Sequence, residues 1–370
     1  MDKNILITGG CGFIGRHLTA ELLDHGYAVR VLDGMIDQVH GEAEAPRDGR
    51  ADYVVADIRD AAAVRGALRD VDQVVHLAAE VGVGQSMYEI ARYVGGNDLG
   101  TAVLLERIAD TPVKRIVVAS SMSVYGEGLY EDADGGRYGQ ARRRMADLSA
   151  GRWDAFDASG RPLAPVATDE EKPVDLASIY ALTKYMQERA VLIFAEAYRR
   201  EAVALRLFNV FGPGQALSNP YTGVLANFAS RLANGERPMI FEDGNHRRDF
   251  VHVRDVARAF RLALEQPAAA GHVINVGSGI SYSIREVAEL LAEAMGVPHL
   301  EPEILGKMRA GDIRNCFADI SKARELLGFQ PRYRLDSETL GELAAWVRAA
   351  GGSDKGAEMR RQLEERGLIA

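Results

Sequence analysis

The stretch Thr8–Gly15, TGGCGFIG, decides the reading of this chain. The residues before it, Asn4–Thr8, form an apolar run that reads as a strand, and those after it, Ile14–Asp24, carry apolar residues at helical spacing. Three glycines spaced three apart therefore sit on a strand–turn–helix. There Gly9 permits the tight turn, Gly12 lets backbone approach a pyrophosphate at the positive helix N-terminus, and Gly15 lets the helix pack closely on the strand. Phe13 and Ile14 join Gly9 and Gly12 as candidate dinucleotide contacts.

The second strand, Ala28–Asp33, ends on an acid 18 residues after Gly15, placed to accept from the adenosine ribose hydroxyls. Gly34 and Met35 follow it and bring no positive charge for a 2′-phosphate, which favours NAD over NADP. Ligands of open α/β sheets bind at strand ends, so Asp57 and Ile58 are placed at the adenine, and Leu77, Ala78 and Ala79 where pyrophosphate and ribose pass. His76 reads as a packed strand histidine.

Further strand-like runs at Tyr53–Ala56, Gln73–Ala78, Arg115–Ser120 and Ala202–Phe208 alternate with helical segments at Ala61–Arg69, Leu99–Ala109 and Ile179–Arg199. The alternation predicts an α/β fold, a Rossmann doubly wound parallel sheet, with a smaller C-terminal α+β substrate region. The expected divisions are a dinucleotide-binding domain at 1–208 to which the chain returns at about 250–276, substrate-binding segments at 209–249 and 277–345, and a helical tail at 346–370. Glu127–Pro165 shows no clear period and reads as a surface insertion with a short helix near Gln140–Leu148. With 370 residues, 47% of them hydrophobic, the chain builds a sizeable core. A net charge of −9 argues against nucleic-acid or anionic-membrane partners. Two cysteines suit a reducing cytoplasm, MDKNILITGG lacks signal-peptide features, and no apolar run has the length of a membrane span.

After the fifth strand comes Ser120–Gly126, SSMSVYG, and further on Tyr180–Lys184, YALTK. Tyr and Lys at i and i+4 share one helix face. A nearby ammonium and a positive nicotinamide favour the phenolate, bringing a group of pKa about 10 toward working pH. A strand-end serine hydroxyl hydrogen-bonds the same substrate oxygen. Such a set suits proton removal from a secondary alcohol while hydride leaves its carbon.

With these motifs, and with HLAAEVGV, NDLGTAVLLE, LRLFNVFGPGQ, RRDFVHVRDVARA and INVGSG, the chain resembles the extended short-chain dehydrogenases/reductases of the NAD-dependent nucleotide-sugar epimerase/dehydratase family. The resemblance implies Ser121 as catalytic serine, Tyr180 as base and Lys184 as its helper, the last two also touching the cofactor, with Asn97 near the nicotinamide. It implies a nucleotide-diphosphate sugar, UDP- or dTDP-linked, contacted by Val81, Ser123, Asn209, Asn219, Phe241, Arg248, Arg309 and Asp312. A diphosphate wants arginines and amide donors; a surface salt bridge is the competing reading of any one arginine, and the one taken for Arg247. No metal is implied: the insertion holds no cysteine pair. A homodimer is expected, through the helices of Leu99–Ala109 and Ile179–Arg199.

Dehydratases of this family resemble one another in carrying Thr-Asp-Glu where this chain has Ser121-Met122-Ser123, and decarboxylases keep a glutamate at the last position. Without those acids the set oxidises and re-reduces one carbon, the chemistry of a 4-epimerase. Three rivals remain: a decarboxylase or 4,6-dehydratase whose acid, such as Glu80, arrives from another loop; a 4-ketosugar reductase; and a non-catalytic dinucleotide sensor.

Overall fold

Ile5, Leu6 and Ile7 are all buried, but successive residues of a strand point to opposite faces, so Ile5 and Ile7 enter one core and Leu6 another. A strand buried on both faces is the interior strand of a parallel sheet covered by helices. The computed structural model describes residues 4–40, 47–215, 223–308 and 312–350, with Arg361, Glu365 and Arg366. Asn219, Arg309 and nearly all of the charged segment after Ala350 lie outside the described residues.

Seven parallel strands form the main sheet: β1 (Asn4–Thr8), β2 (Ala28–Asp33), β3 (Asp52–Val55), β4 (Gln73–His76), β5 (Arg115–Ser121), β6 (Glu201–Leu207) and β7 (Val273–Val276). Their order is β7-β6-β5-β4-β1-β2-β3, which reverses between β1 and β4. Five helices matter to the site: α1 (Phe13–Asp24), α2 (Ala61–Ala67), α3 (Gly100–Ala109), α4 (Ile179–Ala197) and α5 (Val253–Glu265). One face of the sheet packs on Leu18 and Leu22 of α1 and Val256 and Phe260 of α5. The other packs on Val64 of α2, Leu104 and Ile108 of α3, and Val191 of α4. No described helix is long and apolar enough to cross a membrane.

At two places in the loop a Cβ would meet backbone. Gly9 has φ +72°, and a Cβ there would lie 2.7 Å from the Ala78 amide nitrogen beyond β4. A Cβ on Gly15 would lie 2.5 Å from the Gly9 oxygen and the Gly10 Cα. Gly12 is different: its Cβ would meet only the Gly9 oxygen, at 3.3 Å. Gly12 is the N-cap of α1, with no side-chain cap and no acid in the first turn. The first amides of α1 are thus left without side-chain acceptors, as an anion site requires.

Val94–Leu99 forms a π-helical turn leading into α3, where periodicity alone predicts regular helix from Leu99. The Glu127–Pro165 insertion is more ordered than its sequence suggests. Leu129–Glu131 pairs antiparallel with Arg137–Tyr138 and with Ala164–Val166. Tyr130, Ala141, Ala155 and Leu163 form a small core, and the short helix is Met145–Ser149, starting later than expected. Beyond Asn209 a second core forms among helices Val224–Ala233, Ile284–Ala294 and Ser337–Ala349 around Phe211 and Phe250. Strand Arg247–His252 joins the two cores: Phe250 lies in this second core and Val251 in that beneath α1 and α5.

Gly15→Ala places a methyl against backbone that cannot yield, and overpacking of this kind costs about 1–3 kcal/mol or more. Its urea midpoint is expected to drop clearly. Gly12→Ala is expected to keep the wild-type midpoint but to weaken NAD binding, read by calorimetric titration; normal affinity in that variant would refute the pyrophosphate assignment.

Candidate active site

The strand ends, the glycine loop and the second core enclose a cavity of about 1120 Å³. That exceeds the usual size of a single small-ligand pocket and suits a dinucleotide plus a second ligand. Gly9, Gly12, Phe13, Ile14, Asp33, Asp57, Ile58, Leu77, Ala78 and Ala79 all line it. Asp33 Oδ2 accepts from the Cys11 amide at 2.9 Å and Oδ1 from the Met35 amide at 2.9 Å. His40, not singled out in the sequence, stands 3.4 Å from Oδ1. Burial pushes the Asp33 carboxyl up, but the bonds from His40, Met35 and Cys11 outweigh it and hold the group below the usual carboxylate range. A fixed anion that also pins the glycine loop fits a ribose with free hydroxyls and repels a 2′-phosphate. Arg59, the nearby cation lining the cavity, is paired with Asp57.

Asn97 is placed differently from the expectation. It is fully buried and absent from the cavity lining: Oδ1 accepts from the Glu80 amide at 2.6 Å, and Nδ2 donates to Thr183 Oγ1 at 2.9 Å. Its amide is spent on tying the Glu80 loop to α4, so it works behind the wall. Arg247 is also corrected: among the described residues it makes no salt bridge, donating instead to Ser281 Oγ at 2.6 Å on the neighbouring strand.

Ser121, Tyr180 and Lys184 all line the cavity. Ser121 ends β5, where its hydroxyl accepts from the Ser123 amide at 3.2 Å, capping the turn that follows. Ser178 caps α4 through the Ala181 amide at 3.1 Å, and the Tyr180 amide donates to Ser86 Oγ at 3.0 Å. Burial pushes the Tyr180 phenol up, and a hydrogen bond with Ser121 pulls it partly back. Burial lowers the Lys184 ammonium to about 7, opposed by the Glu188 carboxylate.

Gln187 is the functional candidate that sequence reasoning missed. Its Oε1 accepts from Lys184 Nζ at 2.6 Å, while its Nε2 reaches Thr101 Oγ1 at 2.9 Å and His76 Nε2 at 3.1 Å. His76 is buried, pushed down to about 3, and bound through Nδ1 to Thr8 Oγ1 at 2.7 Å. Lys184 is therefore held by a neutral amide backed by a neutral ring. Glu188 turns to Arg206 at 2.7 Å and Ser120 Oγ at 2.7 Å.

Val81, Ser123, Asn209, Phe241, Arg248 and Asp312 also line the cavity. Arg248 donates to the carbonyls of Arg247 at 2.9 Å, Arg314 at 3.0 Å, and Ile313. These partners carry no net charge, and among the described residues Arg248 has no ion pair. Among the described residues Ser123 Oγ and Gln215 Oε1 are buried without a hydrogen-bond partner, and both residues line the cavity. Gln215 was not singled out in the sequence. Glu80 lines the cavity, but its carboxylate is bound to Arg92 at 2.8 Å.

The sequence profile of the NAD dependent epimerase/dehydratase family matches residues 5–146 and 154–277. A dTDP-L-rhamnose 4-epimerase of Burkholderia thailandensis is 38% identical over 352 residues, 93% of this chain and 95% of that protein. The structure of the UDP-glucose 4-epimerase of Thermotoga maritima, with UDP-glucose, superposes with a TM-score of 0.76 at 30% identity, covering 94% of this chain and 99% of the other. That of the Thermus thermophilus UDP-glucose 4-epimerase, complexed with NAD, gives 0.73 at 28% identity over 94% and 99%. With its reversed strand order, uncapped α1 N-terminus and Ser–Tyr–Lys set, the chain belongs to the NAD-dependent epimerase/dehydratase family.

Proposed function

We propose that the chain is a 4-epimerase of a UDP- or dTDP-linked hexose. The observation that carries this reading is the end of β5: Ser121 shares the cavity with Tyr180 and Lys184, while Met122 and Ser123 bring no carboxylate and Glu80 is held by Arg92. With no acid committed to a leaving group, the set is left with reversible oxidation of one carbon. Bound NAD supplies the hydride acceptor and donor. Tyr180 as phenolate takes the proton of the sugar 4-hydroxyl and returns it after the 4-keto sugar has turned. Lys184 favours the phenolate, Gln187 holds Lys184, and Ser121 donates to the reacting oxygen. Arg248 and Asn209 hold the nucleotide end, so binding energy is spent away from the carbon that turns.

Exposed Ile90, Val94, Leu99, Leu182 and Ile193 sit on the segments joining and forming the π turn, α3 and α4. Apolar residues gathered there suit a homodimer. Buried, unpaired Cys11 and Cys316 suit a cytoplasmic setting. Light scattering is expected to return twice the chain mass; a stable monomer would remove the dimer from this reading.

The activity is tested by proton NMR in D₂O with dTDP-L-rhamnose, UDP-glucose and UDP-glucuronate. Inversion at C4 without deuterium in the sugar is expected, and Tyr180→Phe is expected to slow it by about 10²–10⁴. Deuterium at C5 with a 4-keto product, or release of carbon dioxide, would overturn the epimerase reading in favour of a dehydratase or decarboxylase.

Lys184 gives a pH test. Below about 7 the lysine is charged folded and unfolded, and the full cost of burying the ammonium is present. Between there and the unfolded value of 10.5 the unfolded chain binds the extra proton, so wild type gains stability as pH rises. Relative to Lys184→Met, wild-type urea stability should therefore climb from pH 7 to 9.5. A flat difference would show that the group stays charged when folded.

A further inference from the structure

The insertion Glu127–Pro165 is fastened to the nucleotide end of the cavity by a buried ionic network. Arg143, with a side chain 8% exposed, donates to Glu127 Oε1 at 3.0 Å, Glu242 Oε1 at 2.6 Å and the Asp312 carbonyl at 2.7 Å. Arg314, 2% exposed, donates to Asp154 of the insertion at 2.9 Å, Glu242 at 3.1 Å and Asp243 at 2.6 Å. Glu127 accepts in return from the amides of Arg314 at 2.8 Å and Asn315 at 3.2 Å.

Arg143, Glu127, Asp154 and Glu242 do not line the cavity, but residues that they bond or adjoin do. Asp312 is bound by Arg143, Phe241 precedes Glu242, and the Ile313 and Arg314 carbonyls that hold Arg248 lie in the clamped segment. Glu242 is also a non-glycine residue at φ +53°, a strained left-handed conformation that persists where its surroundings over-determine it. Its carboxylate, 3% exposed between two guanidiniums, supplies that determination.

We propose that the insertion acts as a clamp on the nucleotide-diphosphate end of the site, with Arg143 and Glu242 as positioning residues that set the placement of Arg248, Phe241 and Asp312. The proposal rests on the nucleotide-sugar reading and adds to it a function for the insertion. A loosened wall weakens a ligand without altering the chemistry at the far end.

Calorimetric titration of UDP and dTDP into NAD-saturated full-length protein tests it. Arg143→Met and Glu242→Gln are expected to raise Kd for whichever nucleotide wild type binds by about tenfold, with NAD affinity and kcat changed less than about threefold and KM rising with Kd. Arg142→Met, whose exposed arginine pairs among the described residues only with Asp175, is the control and is expected to behave as wild type. Unchanged nucleotide affinity in folded Arg143→Met and Glu242→Gln would overturn the clamp. If Arg143→Met does not fold, Glu242→Gln, which keeps shape and hydrogen-bonding atoms, decides alone. If wild type binds neither nucleotide, the nucleotide reading has failed, and hydrogen exchange of 312–318 and 239–248 still decides the clamp: faster exchange in the variants supports it, equal exchange refutes it.

Discussion

No side chain fits between the head of β1 and the first turn of α1, and that exclusion governs the rest of the cofactor site. Because Gly15 packs on the Gly9 and Gly10 backbone, the axis of α1 starts against the strand and its unpaired amides point at the sheet's reversal point. Because Gly9 approaches the Ala78 amide, the end of β4 forms the opposite wall. Asp33 then couples the second strand to the loop by accepting from Cys11. One steric condition thus sets three walls, and the partial positive charge of the helix end settles which part of a ligand lies between them.

The buried charges around α4 are sorted with similar economy. Ser120 and Ser121 are neighbours on β5, yet Ser120 bonds Glu188, which in turn holds Arg206, whereas Ser121 faces Tyr180. The acid next to Gln187 is thereby satisfied away from Lys184. A carboxylate in direct contact would stabilise the ammonium but also screen it from the phenolate. A neutral amide holds the geometry and leaves the charge to act. The cost is a lysine that burial disfavours, a form of strain expected where a group serves chemistry more than stability.

The glycine loop, Asp33, the strand-end serine and the Tyr–Lys pair were legible in the sequence because each is a local device: a turn, a strand end, one helix face. What was not legible depends on distant pairs. Gln187 meets His76 across 111 residues, and Arg143 meets Asp312 across 169, and no periodicity announces either. Asn97 sits in a motif-like stretch, but its direction depends on a π turn that composition does not signal. Arg247 and Arg248 look alike in sequence; alternation on one strand separates them, giving Arg248 to the cavity and Arg247 to Ser281. The insertion lacks a period because its strands are two or three residues long, too short to display one.

The π turn at Val94–Leu99 makes segment length a constraint in its own right. An α-helix advances about 100° per residue, and a π turn holds one residue more than the regular form. Because the π turn absorbs its extra residue, deleting one there would let the helix close into ordinary α geometry with its flanks in phase, while the residues inside the turn shift by one position, roughly that angle. Asn97 would then swing away from Thr183 and the Glu80 amide, uncoupling the loop after β4 from the helix that carries Tyr180 and Lys184. Side chains on the outer face, such as Val94, are free of that requirement. The outer face of this stretch accordingly tolerates changes of letter far better than the stretch tolerates changes of count, and an insertion or gap within it would signal a rebuilt turn even where every catalytic residue is retained.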